Sequence, residues 1–142
     1  LSSVERYDPA ANVWEAVAPM AVERFAPGMA VLDDKLYAVG GRNDDDGLLS
    51  SVERYDPANG WEEVAPLAPA RYCAGMAALE GKLYAVGGKI YVGQVEWQDQ
   101  VDNTVRVERF DPATNAWEEV APMATARAAP TVAVLDGKLY AV

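Results

Sequence analysis

Apolar and polar positions alternate along most of this chain in short runs. KLYAV at 35–39 and 82–86, and SVERYD at 3–8 and 51–56, are dense in β-branched and aromatic residues. Turn-forming Gly, Pro, Asn and Asp close each run after a few residues, which predicts strands. No window shows a convincing helical period. The runs fall into four types. Strand a is a small-apolar run such as PGMAVL from Pro27. An Asp-Asp, Glu-Gly or Asp-Gly turn at 33–34, 80–81 and 136–137 leads to strand b, KLYAV. The Gly-containing turns are strong two-residue hairpin signals. Strand c is SVERYD. It ends in an Asp-Pro turn, because proline fixes φ and aspartate can bond its own backbone. Strand d is WEEVAP, closed at Pro19, Pro66 and Pro122 because proline cannot donate to a ladder.

The same text recurs. Val4, Val52 and Val107 each begin a Val-Glu-Arg triplet, and LDDKLYAVGG, LEGKLYAVGG and LDGKLYAV align from Leu32, Leu79 and Leu135. Copies spaced roughly 50 residues apart mark an array of one supersecondary unit. The units run over about 1–41, 42–88 and 89–142, each in the order c-d-a-b, within a single domain of 142 residues.

This pattern resembles the kelch repeat over nearly the whole chain. The resemblance rests on Gly40–Gly41 and Gly87–Gly88, on Tyr7, Tyr55 and Phe110, and on Trp14, Trp61 and Trp117. It is most similar to the kelch domains of BTB-kelch adaptors that bring substrates to cullin-type ubiquitin ligases. It implies an all-β propeller of four-stranded antiparallel blades. One twisted blade cannot bury both faces, so copies must bury them on each other. The recurrent Tyr and Trp therefore read as packing residues, and the double glycines as structural. The strands add up to three blade-equivalents: c-d, two abcd sets, and a-b. Propellers usually have about four to eight blades. The a-b and c-d pieces are complementary, so two copies are expected to close a six-bladed ring as a homodimer. A longer propeller, of which this is a part, is the rival. The near identity of the copies also fits an engineered or recently duplicated scaffold with no native ligand.

Strand alternation puts the b–c loops and d–a connections on one face, where the copies differ most. Binding usually sits on such loops. Each d–a connection carries an arginine: Arg24, Arg71 and Arg127. In the adaptors that the chain resembles, arginines around the central opening hold acidic peptide motifs, and the planar guanidinium suits a carboxylate. The competing reading is local pairing with a carboxylate such as Glu23. Phe25 and Tyr72 follow the first two arginines. The longer b–c loop, 89–106, reads as an extended hairpin, and Tyr91 and Trp97 on it are candidate contact residues. Arg6, Arg54 and Arg109 of the triplets are expected to pair between blades. The expected partner is a protein or peptide, an acidic motif included. A sugar-binding or sugar-processing propeller is the alternative.

Composition narrows this further. The net charge is −10, against non-specific nucleic-acid binding. There is no histidine, which removes the copper-oxidase chemistry of some kelch proteins and the commonest general base. No catalysis, cofactor or metal is expected. Asp44–Asp46 reads as a solvated acidic loop rather than a calcium site. No long apolar run crosses a membrane. The lone cysteine, Cys73, fits an inert packing role and a reducing, cytoplasmic setting.

Overall fold

The computed structural model describes residues 1–95 and 98–142. A first hairpin joins β1 (Val4–Asp8) to β2 (Val13–Val17). Then come β3 (Gly28–Leu32), β4 (Lys35–Val39), the short hairpin of β5 (Arg42–Asn43) and β6 (Gly47–Leu48), β7 (Val52–Asp56) and β8 (Gly60–Val64). The next set is β9 (Arg71–Tyr72), β10 (Gly75–Leu79), β11 (Lys82–Val86), the long β12 (Lys89–Val95) and β13 (Gln98–Asn103), β14 (Val107–Asp111) and β15 (Ala116–Val120). The last hairpin is β16 (Val132–Leu135) and β17 (Lys138–Ala141).

These strands form two complete antiparallel blades, β3-β4-β7-β8 and β10-β11-β14-β15, flanked by the pairs β1-β2 and β16-β17. The c-d, abcd, abcd, a-b order read from the sequence is therefore the order of the fold. Both residues of each a–b turn take positive φ: Asp33 and Asp34, Glu80 and Gly81, Asp136 and Gly137. That is the primed geometry that matches strand twist. The Asp-Pro turns also form as expected. Asp8, Asp56 and Asp111 each accept a hydrogen bond from the amide two residues on, at 2.8, 2.8 and 2.9 Å.

The core lies between the two complete blades. Tyr37, Val39, Val52, Val64 and Leu67 from one meet Leu83, Ala85 and Phe110 from the other. Successive strand residues point to opposite faces. Leu83 and Ala85 thus face backward into this core, while Tyr84 and Val86 face forward toward β16–β17. Tyr37 is buried and its counterpart Tyr84 is not, because only two strands cover the forward face of the second blade. The recurrent aromatics pack as cross-strand pairs: Tyr7 on Trp14, Tyr55 on Trp61 and Phe110 on Trp117, with ring centroids 5.2–5.3 Å apart. The indole N–H of Trp61 reaches back to the Ala18 carbonyl at 2.8 Å, and that of Trp117 to Ala65 at 2.9 Å. Each tryptophan therefore latches its blade to the one before.

Within a blade, Lys35 pairs with Asp56 at 3.0 Å and Lys82 with Asp111 at 2.5 Å. The Ala58 amide, then the Lys35 ammonium, hold the Asp56 carboxyl down at about 2. The folded pKa lies below the unfolded value of about 3.9, so Asp56 contributes stability above that value and loses it as pH falls to about 2. Thermal melts of wild type and Asp56→Asn should differ at pH 6 and converge between about pH 4 and pH 2. A difference independent of pH would disprove the assignment.

Candidate functional site

The face carrying the b–c loops and d–a connections is the most varied surface, and the two loops differ as the sequence implied. The first is the small β5–β6 hairpin. The second is the β12–β13 hairpin, with a bulge between Tyr91 and Gly93, extended sideways by pairing of β12 with β9. Trp97 lies outside the described residues.

The three connection arginines do not form a ligand-binding ring. Arg24 is buried, and its guanidinium donates to Glu53 from Nε at 3.2 Å and Nη2 at 2.9 Å. Nη1 donates to the carbonyls of Gly40 and Ser51 at 2.7 and 2.9 Å, and Nη2 also to the Ser51 hydroxyl at 3.0 Å. The amides of Ala21 and Val22 donate to the same Glu53 carboxylate. Arg71 is fully buried against Glu108 and donates to the Gly87 carbonyl at 3.1 Å. These two arginines fasten each connection to strand c of the blade it enters, and burial withdraws both from the surface. The carboxylate that captures them is the triplet glutamate, not Glu23, which takes the N-terminal ammonium instead.

The second pair is the poorer one. Pro69 stands where Val22 supplies an amide, and Arg106 stands where Ser51 supplies a hydroxyl. Glu108 and two donors of Arg71 accordingly lack well-aligned hydrogen bonds. Burial raises the Glu108 pKa and lowers that of Arg71, each opposed by the partner's charge. Arg127 differs again. It is half-buried and has no side-chain partner among the described residues.

The triplet arginines also depart from expectation. Arg6, Arg54 and Arg109 pair within their own blades, with Glu15, Glu62 and Glu118 on the adjacent strand d at 2.5, 2.6 and 2.5 Å. Neighbours on a strand face opposite ways, so Glu53 and Arg54 cannot both reach the same side.

Exposed contact chemistry gathers elsewhere, around Arg42. Phe25 is 63% exposed and Tyr91 52% exposed. The Phe25 and Arg42 backbones bond reciprocally at 2.8 and 3.0 Å. This sets the Arg42 guanidinium 5.4 Å from the Phe25 ring centre and 5.7 Å from that of Tyr72. Arg42 has no ion-pair partner among the described residues. It is shared by two clefts. One, of about 420 Å³, also takes Phe25, Glu23, Asp44 and Asp45; the other, of about 290 Å³, takes Tyr72, Tyr91, Asp99 and Val101. The structure thus brings Phe25, Tyr72 and Tyr91 to one surface around a cation that the motif reading passed over. The available signal was position: Arg42 and Lys89 both follow a double glycine, directly at the mouth of a b–c loop. Among the described residues no cluster of His, Cys, Asp or Glu is arranged to hold a metal, and no helix is long and apolar enough to cross a membrane.

The family pattern of the kelch motif matches residues 1–21, 23–68 and 70–124. Kelch-like protein 36 of Bos taurus is 34% identical over 96% of this chain, which spans 21% of that protein. Kelch-like protein 5 of Homo sapiens is 60% identical over 27% of the chain, 5% of its own length. The solved structure of YjhT superposes with a TM-score of 0.66 at 23% identity, over 85% of this chain and 34% of that one. The chain therefore spans about a fifth or less of these curated relatives.

Proposed function

This chain belongs to the kelch-repeat family, and from that premise we propose that it is a protein-interaction propeller whose docking surface is the loop face around Arg42. The observation that carries the reading is one exposed guanidinium, without a counter-ion among the described residues, set between Phe25 and Tyr72 with Tyr91 beside it. Arginine and large aromatics are the preferred anchors of interfaces. Stacked Arg42 keeps its fork free for a carboxylate or a main-chain carbonyl. The surrounding Glu23, Asp44, Asp45 and Asp99 repel a run of acids. The ligand that fits is a protein segment with one carboxylate among basic or neutral residues, narrower than a general acidic motif. No catalysis is assigned to the module. The lone thiol of Cys73 is in keeping with a reducing cytoplasmic setting.

Random peptides displayed on phage and selected on the folded chain supply the test. Selected binders should lose at least about tenfold in affinity for Arg42→Ala, Phe25→Ala or Tyr91→Ala. They should keep it for Glu80→Lys, in an a–b turn on the opposite face. Unchanged affinity for all three alanine variants would remove the surface from consideration. Absence of any binder would favour a ligand-free scaffold.

A further inference from the structure

We infer that the cleft between the two b–c loops takes an extended protein segment by two side chains of opposite charge: an acid at its floor and, four residues away, a base at its rim, with an apolar side chain midway. The inference rests on the docking reading above and adds the sign, order and spacing of the ligand's anchors.

The cleft, of about 290 Å³, has two walls. One is the β5–β6 hairpin, where Arg42 stands opposite Leu48 and both line the cleft. The other is one face of the sheet β13-β12-β9. There Tyr72 stands opposite Lys89, and Tyr91 opposite Val101. Directly opposed residues share a face, as do residues two apart on a strand. Tyr72, Tyr91, Val101 and Asp99 therefore project together into the cleft. The bulge between Tyr91 and Gly93 brings Gln94 to the same face, opposite Asp99. Gln94 donates to one Asp99 oxygen at 3.4 Å, and the other has no partner among the described residues.

Charge is sorted along these walls. At the floor the Arg42 guanidinium lies 5.7 Å from the Tyr72 ring centre, and Tyr72 is level with Lys89. Neither cation has an ion-pair partner among the described residues. Two carboxylates stand at the rim. Asp99 is on β13 toward the end of one hairpin, and Asp44 is in the turn of the other. Asn43 and Asp46 close that turn on each other, at 2.6 and 3.0 Å, which leaves Asp44 outside the turn's own side-chain bonds. Between the two levels the lining is apolar, from Tyr91 and Val101.

Complementarity follows from this order. The ligand's carboxylate meets Arg42 at the floor, away from both rim acids, and its cation lies between Asp44 and Asp99, away from Arg42. Spacing follows from the strands. Lys89 is level with Asn103, and from Asn103 to Asp99 β13 rises about 13 Å at ~3.3 Å per residue. An extended ligand climbs at the same rate and turns every second side chain to one face. Acidic, apolar and basic residues at i, i+2 and i+4, in either chain direction, then face the wall together. Two acids or two bases at the outer positions set like charge beside like at one end.

Random peptides displayed on phage, selected on the folded 142-residue chain and sequenced, supply the test. Binders lost on Arg42→Ala should be enriched in an acid and a Lys or Arg four positions apart, with an apolar residue midway. Such a binder should lose about fivefold in affinity on Asp44→Asn combined with Asp99→Asn, and about tenfold or more on Asp44→Lys combined with Asp99→Lys. Replacing its basic residue by Glu should weaken binding to wild type and restore it on the second of these double variants. Moving the basic residue one place along turns it to the other face and should cost about fivefold. Circular dichroism should show the variants folded, since Asp44 and Asp99 are exposed. Binders that need Arg42 but carry no basic residue at this spacing, or that ignore both double variants, overturn the two-anchor inference and leave the docking surface standing. Binders indifferent to Arg42→Ala, Phe25→Ala and Tyr91→Ala, or no binder at all, overturn the docking surface and this inference with it.

Discussion

Glu53→Ala is expected to lower stability by about 3–5 kcal/mol, a large part of what a domain of this size possesses. The carboxylate is buried, and five groups converge on or around it: the Arg24 guanidinium, the Ala21 and Val22 amides, and the Ser51 and Gly40 acceptors that complete the Arg24 shell. Removing it leaves a buried positive charge with carbonyls but no counter-ion, and two amides without an acceptor. Glu53→Gln retains one acceptor and should cost less. Arg24→Met combined with Glu53→Leu should recover part of the loss, because no charge is then stranded, but not all, since the two amides remain unpaired. Glu108→Ala should cost less than Glu53→Ala, because its pair already lacks an amide donor at Pro69 and sits beside Arg106. The exposed Glu62→Ala should cost under about 1 kcal/mol. Urea midpoints for the series test the order; Glu53→Ala behaving like Glu62→Ala would refute the account.

How far the fold could be read follows from how local its causes are. Period-two runs, primed turns and Asp-Pro turns act over two to five residues, so strand order and the a–b and c–d hairpins were legible from KLYAV, Asp136–Gly137 or Asp56–Pro57 alone. The function of Arg24 and Arg71 was not legible in that way. It depends on a glutamate 29 positions further along that lands beneath Arg24 only when β7 pairs with β4. The resemblance suggested a ligand for these arginines, and the topology supplied an internal one. The triplet arginines were misassigned for a simpler reason. Strand alternation already forbids adjacent Glu53 and Arg54 from facing the same side, and counting across the c–d hairpin puts Arg54 opposite Glu62. Phe25, Tyr72 and Tyr91 could be singled out as candidates because aromatics on varied loops have no period to satisfy. Arg42 became visible only when its stacking partners from two other segments were in place.

Gly40→Ala is expected to be comparably severe, above about 3 kcal/mol, for a reason unrelated to charge. Gly40 has φ of +61°, and a Cβ there would stand 2.3 Å from the Arg71 carbonyl oxygen and 3.2 Å from that of Leu49. Left-handed backbone alone costs an alanine about 1–2 kcal/mol. The remainder comes from backbone that must retreat. Arg71 O accepts from Gly41 N at 2.9 Å, and the Arg71 side chain is sunk beside Glu108, so the connection cannot move without loosening both. Gly47→Ala separates the two causes. Gly47 has φ of +73° with nothing within 4 Å of its Cβ position, so it should show only the conformational cost. Gly87→Ala is intermediate: φ is again +61°, and the Cβ would meet the Arg127 carbonyl oxygen at 2.6 Å. The Arg127 side chain is half-buried and has no side-chain partner among the described residues, so its segment yields more readily than that of Arg71 does. Denaturation midpoints in the order Gly47→Ala, Gly87→Ala, Gly40→Ala from mildest to harshest would assign the extra cost to the clamped connection; equal losses at all three would assign it to φ alone.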